Sequence, residues 1–190
     1  MKLSKNLFLL TLSFFAVVYC ATVNAADLKA GAQKATMCSG CHGAKGIGSN
    51  GTVPVLAGQH RYYLAAQLTA FKQGQRVNPI MQGIAAGLSE TEIENLAAFF
   101  ASVPYQPKTA ASAENAVGKT KYAMCAGCHG AAGEGRGGVP RLAHQHNQYL
   151  LTQLMAFNTA NRKGGPMPSI AASLTEKDMK AISSYLSTLK

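Results

Sequence analysis

Cys38-Ser39-Gly40-Cys41-His42 and Cys125-Ala126-Gly127-Cys128-His129 are the two stretches around which the rest of the chain is arranged. Each reads Cys-x-x-Cys-His, the attachment signature of a c-type haem. The spacing has a chemical cause. Two thiols three positions apart can each form a thioether with a vinyl group on one edge of a porphyrin, and the imidazole that follows then reaches the iron. One copy alone would also suit a thioredoxin-like redox pair, half a zinc site or a structural disulfide. The second copy, in a matching context, argues for two covalently bound haem c groups, held by Cys38 and Cys41 and by Cys125 and Cys128.

The matching context extends along the chain. A shift of 87 residues superimposes the two motifs, and dropping one residue in the following loop makes the shift 86. Pro54 then falls on Pro140, Leu56 on Leu142, His60 on His146, Tyr63 on Tyr149 and Gln67 on Gln153. Phe71 falls on Phe157, Arg76 on Arg162, Met81 on Met167 and Leu88 on Leu174. This is a tandem duplication. It predicts one domain over residues 26–103, a linker over 104–112 opened by Val103-Pro104-Tyr105-Gln106-Pro107, and a second domain over 113–190.

Within the first half, Asp27 to Met37 reads as a short helix, and Gly43 to Val53 as a flexible glycine-rich loop lying against the porphyrin edge. Gln59 to Gly74 carries Leu64, Gln67, Leu68 and Phe71 at helical spacing. Ser89 and Glu92 form a capping box ahead of Ile93, Leu96, Ala97 and Phe100, the apolar stripe of a closing helix. No stretch alternates apolar and polar residues for long enough to predict a sheet, so the fold class is all-α. The loops at Gly46 and Gly133 match G-x-G-x-x-G, but that pattern binds a dinucleotide only between a strand and a helix, and here it runs from a haem motif into proline.

Residues 1–25 read as a secretory leader: Met1-Lys2-Leu3-Ser4-Lys5, an apolar run from Leu7 to Tyr19, and the small-residue cleavage site Val23-Asn24-Ala25. The address agrees with the cofactor, because c-type haem is attached outside the bacterial cytoplasm, and it predicts a periplasmic protein. Cleavage after Ala25 removes Cys20 and leaves four cysteines, all in the two motifs. Domains of roughly 80 residues supply little core, and the haem is expected to act as the staple without which each half folds poorly.

The mature chain keeps sixteen Lys and Arg against eight Asp and Glu. The excess lies in the second half, where Pro104 to Lys190 has ten bases and four acids. That predicts an acidic redox partner or peripheral contact with an anionic membrane. An exported chain with no basic-aromatic cluster argues against nucleic acid.

His42 and His129 are the proximal iron ligands by position. Methionine thioether is soft and raises the reduction potential, which suits an electron carrier. Met81 and Met167 are the candidate sixth ligands, repeat-equivalent and set in proline-containing loops long enough to pass round the haem. His60 and His146 are the rivals, unless they cap the helices that begin there. Met37, Met124, Met155 and Met179 read as core filler. The ligating imidazoles need acceptors for their other N–H, for which the carbonyls of Pro54 and Pro140 are placed, and the propionates need donors, for which Arg76, Arg162, Tyr63 and Tyr149 are candidates.

With these residues in view, the chain resembles the dihaem cytochrome c4 family. The resemblance rests on the doubled Cys-x-x-Cys-His, the Pro-x-Leu turns, Gln59 to Leu64, the segment ending in Met81, and Ile84-Ala85-Ala86-Gly87-Leu88. It implies two class I cytochrome c domains about a pseudo-twofold axis, with the propionates near the shared interface. It also implies an electron carrier from a quinol-oxidising complex to a terminal cytochrome oxidase. The second half departs from the first with His144 in place of Gly58 and with Gly164-Gly165-Pro166 before Met167.

Two axial ligands on each iron would leave no open position for substrate, so no catalytic residue is expected. The alternative is an enzyme subunit, either a dihaem peroxidase, with His144 and Glu134 as the acid–base nominees, or the cytochrome partner of a sulfur-oxidising dehydrogenase. Arg136, Arg162 and Lys163 place more positive charge on the second half and predict the higher potential for its haem.

Overall fold

Each half begins and ends with a helix, and the two cross at a glycine. The computed structural model describes residues 25–48, 50–104 and 115–189. The leader, apart from Ala25, and the linker, apart from Pro104, lie outside them. In the first half, α1 (Leu28–Lys34) starts where the Asp27 side chain accepts from the N–H groups of Lys29 and Ala30. It packs on α5 (Glu90–Ser102) through Gly31, where a Cβ would stand 2.2 Å from the Asn95 carbonyl oxygen. Only a residue without a side chain allows that approach. In the second half, α6 (Ala116–Tyr122) meets α10 (Glu176–Thr188) in the same way, with Gly118 against Ala181.

Between these pairs lie α2 (Ser39–His42), α3 (Arg61–Lys72) and α4 (Pro79–Ala86), matched in the second half by α7 (Ala126–His129), α8 (Asn147–Asn158) and α9 (Met167–Ala172). Residues Ala35–Cys38 form a single tighter 3-10 turn that carries the chain from α1 into the haem motif. The capping box of Ser89 and Glu92 is present, and Thr175 with Asp178 repeats it at the start of α10. Among the described residues there is no strand, only an isolated bridge between Arg136 and Val139. The architecture is all-α, as the missing alternation predicts. No described helix is long and apolar enough to cross a membrane.

Each half has its own core. Leu64, Leu88, Ile93, Leu96 and Phe100 form the first; Tyr122, Leu150, Leu174, Met179, Ile182 and Leu186 the second. Of the four methionines expected in the interior, only Met179 is there. Met37 is 47% exposed and Met124 55%, and Met155 is also exposed. Met37 and Met124 directly precede Cys38 and Cys125, and where those cysteines turn in against the two cores the methionines beside them face out.

The halves are joined by bonds that repeat across the pair. The Gln59 side chain donates from Nε2 to the Arg141 carbonyl (2.9 Å) and accepts from the Arg141 N–H (2.8 Å). Gln145, its repeat counterpart, does the same to the main chain of Val55, at 3.0 and 2.9 Å. Val55 and Arg141 are themselves repeat-equivalent, so the reciprocity is that of a pseudo-twofold, as in an isologous interface. The Arg141 side chain breaks the symmetry. Where the first half has valine, its guanidinium donates to the carbonyls of Ala57, Gly58 and Ala143.

Candidate haem sites

The cysteines sit where the short helices α2 and α7 begin. Cys38 and Cys125 are half-buried, Cys41 and Cys128 exposed, and none of the four is in a disulfide. Burial, and secondarily the neighbouring thiol of the pair, pushes Cys38 and Cys125 above the usual thiol range. These two are therefore held as S–H groups, the form that adds across a vinyl double bond.

His42 and His129 are the last residues of those helices, and both are buried. His42 Nδ1 donates to the Pro54 carbonyl at 2.9 Å, and His129 Nδ1 to the Pro140 carbonyl at 3.0 Å. The carbonyls nominated from the sequence are the acceptors. Burial holds both imidazoles below the usual histidine range, with the bond to the proline carbonyl acting in the opposite direction. A neutral ring whose Nδ1 carries the proton leaves the Nε2 lone pair for a metal. Partly accessible thiols beside an imidazole in this tautomer are a donor set that fits covalently attached haem.

Met81 and Met167 are not loop residues. Met81 lies in the first turn of α4, where its N–H donates to the Asn78 side chain at 3.0 Å, and Met167 is the first residue of α9. Pro79 fixes the backbone angle that a first helical turn needs, so a proline that looks like a loop marker is a helix starter. Both methionines are half-buried.

His60 and His146 occupy the N-cap positions of α3 and α8, but neither side chain makes a capping bond. His60 Nε2 donates across the interface to the Glu134 carbonyl at 2.8 Å, and the His146 ring lies against Gly48 of the other half. The glycine loops are correspondingly not free. Besides these contacts, the Gly51 carbonyl accepts from the Tyr149 N–H at 3.0 Å. Each loop is a docking element for the opposite half. His144, at the place of Gly58, holds a left-handed backbone with φ of 61° against 64° for the glycine. Its ring is half-buried beside Arg141. The Glu134 carboxylate accepts from the Ala132 N–H and folds over Gly130.

The four candidate propionate donors come together, with the repeat-equivalent glutamines Gln67 and Gln153 between them. Arg76 donates to Gln67 Oε1 (2.7 Å) in its own half, and to the Tyr149 hydroxyl (3.0 Å) and Gln153 Oε1 (2.8 Å) in the other. Arg162 mirrors it, donating to Gln153 Oε1 (2.7 Å), the Tyr63 hydroxyl (3.0 Å) and Gln67 Oε1 (2.9 Å). Each guanidinium lies over an aromatic ring, Arg76 at 4.6 Å from the Phe71 centroid and Arg162 at 4.5 Å from that of Phe157. Two guanidinium groups that share the oxygens of Gln67 and Gln153 are like charges held close together, and they repel. Among the described residues no carboxylate pairs with either arginine. Arg162 is thus no source of asymmetry, since Arg76 matches it; the surplus charge of the second half lies in Arg136 and Lys163, both exposed.

A further asymmetry was not visible in the repeat. Tyr122, where the first half has Ala35, is buried and donates to the Gly130 carbonyl, next to His129, at 2.5 Å. Burial first, and then the negative charges that its neighbours can carry, push its hydroxyl up to about 12.

The sequence matches the cytochrome c family profile twice, over residues 28–104 and 116–190. It is 38% identical to cytochrome c4 of Pseudomonas aeruginosa over 180 residues, covering 87% of this chain and 90% of that one. It is 37% identical to a thiosulfate dehydrogenase electron acceptor of Stutzerimonas stutzeri, covering 84% and 82%. The fold matches the crystal structure of reduced recombinant cytochrome c4 from Pseudomonas stutzeri with a TM-score of 0.79 at 33% identity, over 87% of this chain and all of that one.

Proposed function

The chain belongs to the cytochrome c4 family of dihaem electron-transfer proteins, and on that premise we propose that it is an exported, periplasmic carrier whose irons are held in two equivalent His–Met settings. Cys38 and Cys41 bind the first haem c, with His42 and Met81 as its axial pair. Cys125 and Cys128 bind the second, with His129 and Met167. The observation that carries this assignment is the pair of Nδ1–H bonds to Pro54 and Pro140, which turns both imidazoles the same way. Of the rival histidines, His60 bonds to Glu134 of the opposite half, and the His146 ring packs against Gly48 there, its Nε2 buried without a hydrogen-bond partner among the described residues.

Bound haem supplies a one-electron couple. What the protein does is hold the imidazoles, cover the groups with two small cores, and bring the halves face to face so that an electron can pass between them. With His42, Met81, His129 and Met167 as ligands, bound haem would offer no open position to a substrate, and we assign no catalysis to the chain. Donor and acceptor are redox proteins: a quinol-oxidising complex supplies the electron and a terminal oxidase takes it. Exposed Arg136 and Lys163 favour an acidic partner for the second half, and favour the higher potential for its haem.

The test is the spectrum of the mature protein. A red-region charge-transfer band of sulfur-ligated ferric haem is expected, and is expected to vanish in the Met81→Ala Met167→Ala variant. Persistence of the band would exclude these ligands. The similarity to a thiosulfate dehydrogenase electron acceptor supports a second reading, in which the donor is a thiosulfate-oxidising enzyme. Comparing reduction rates by the two purified donors distinguishes them.

A further inference from the structure

The two cores hold their large aromatic ring on different helices. Tyr122 ends α6 where the first half has Ala35, and Leu186 of α10 stands where α5 has Phe100. All four are core residues, so each core keeps one large ring and one smaller side chain, which is what packing requires. Packing does not require a hydroxyl, and phenylalanine would fill the same place. The Tyr122 hydroxyl donates to the Gly130 carbonyl at 2.5 Å, and the Gly133 N–H acts on its oxygen. Burial, the first of the causes, pushes that hydroxyl up to about 12, so it remains a donor at any pH near neutral.

Gly130 and Gly133 belong to the turn that follows His129. Its main-chain bonds are the same in both halves. The Gly133 N–H donates to the Gly130 carbonyl at 3.1 Å and Gly135 to that of His129 at 2.7 Å; Gly46 donates to Gly43 at 3.0 Å and Gly48 to His42 at 2.7 Å. Among the described residues, only the second turn is also bonded to a side chain of its core. The Glu134 carboxylate, where the first half has Ile47, lies against the same residue, its atoms 2.1 to 2.4 Å from where a Gly130 Cβ would stand.

We propose that Tyr122 is a positioning residue for the second iron: through Gly130 it fixes the turn that follows His129, makes that proximal ligand the more firmly held of the two, and raises the potential of that haem alone. The inference rests on the reading that His129 ligates a haem. Each iron exchanges one electron, with no bond made or broken. The hydroxyl proton is the positive end of a dipole, set on a carbonyl one residue from the ligand. Ferric iron carries one positive charge more than ferrous, so removing that positive end favours the ferric state.

The experiment compares Tyr122→Phe with the unsubstituted holoprotein, with covalent haem counted by pyridine haemochrome. Amide hydrogen exchange of the ferrous protein is read at Gly133 and at its repeat counterpart Gly46, and a spectroelectrochemical titration follows each haem through its own ferric methyl NMR resonances. Gly133 is expected to exchange about tenfold more slowly than Gly46, the worth of one hydrogen bond in a buried turn. Tyr122→Phe is expected to abolish that difference without changing Gly46. It is also expected to lower the second midpoint by at least twofold in the ferrous-to-ferric ratio at fixed potential, where tenfold corresponds to about 59 mV, and to leave the first midpoint in place. Ile182→Val loosens the same core without touching the hydroxyl and is expected to move neither midpoint. An unmoved second midpoint in Tyr122→Phe, an equal shift of both haems, or the same shift in Ile182→Val would make Tyr122 a core residue only and overturn the proposal. A haem count below two in the unsubstituted protein would overturn the underlying assignment instead.

Discussion

Replacing Gln145 with methionine is expected to cost more than the same change at Gln59, although the two side chains make matching bonds, two across the interface and one to the N–H of the following histidine. Methionine keeps the length and most of the packing of glutamine, so the change isolates the amide. Gln145 satisfies both the N–H and the carbonyl of Val55, a residue only 1% exposed, and water cannot take over either bond. At about 1–3 kcal/mol for each orphaned buried group, the loss comes to about 2–6 kcal/mol. Gln59 satisfies the main chain of Arg141, which is only half-buried, and there the freed groups can turn to solvent. That variant is expected to lose about 1–2 kcal/mol. Val55 follows Pro54, whose carbonyl orients His42, so the loss at Gln145 also reaches the haem setting of the half to which Gln145 does not belong. Guanidinium titration of the ferric holoprotein, read by far-UV circular dichroism and the Soret band, measures both variants. A cost for Gln59→Met equal to or above that for Gln145→Met would refute the reasoning from burial.

Three further outcomes follow from particular contacts. Gly118→Ala is expected to destabilise the second half by about 1–3 kcal/mol in the same titration, because its Cβ would lie 2.3 Å from the Ala181 carbonyl oxygen and the two helices must separate. Ala160→Gly is expected to stabilise by about 0.5–1 kcal/mol and raise the midpoint, since Ala160 holds φ of 57° at the place where the first half has Gly74. For acid stability, Lys34 and the Ser89 main chain hold Glu92 at about 2, and Lys121 and Thr175 hold Asp178 at about 2. A carboxyl depressed in the folded state stabilises above its unfolded value and loses that contribution as pH falls towards the folded one. Stability should therefore decline as pH drops from about 4.5 to 2, and Glu92→Gln or Asp178→Asn should flatten the decline when unfolding is measured across that range.

The haem motifs, the duplication, the closing helix with its capping box and the all-α class were legible because each is written in short-range spacing. A thioether pair needs its cysteines three positions apart whatever surrounds them, and a capping box joins residues three apart. That Met81 and Met167 lie within helices is hidden because proline marks a helix start as readily as a loop; the Asn78 cap decides it at Met81, and at Met167 no side chain caps the helix at all. The exposure of Met37, Met124 and Met155 is hidden for a similar reason: an apolar side chain does not disclose which face of its turn meets the core.

The linear chain alone disclosed what chemistry is present: two c-type haem attachment motifs, held by two copies of one small domain. What the two copies do to each other came only from the folded molecule. Gln145 meets Val55 across ninety positions of sequence, and Arg76 meets Gln153 across seventy-seven. No periodicity links residues so far apart, and a glutamine on a helix looks the same whether it faces water or braces another domain. Their roles exist only once hydrophobic burial has brought the halves together and left main-chain groups such as those of Val55 with no water to bond.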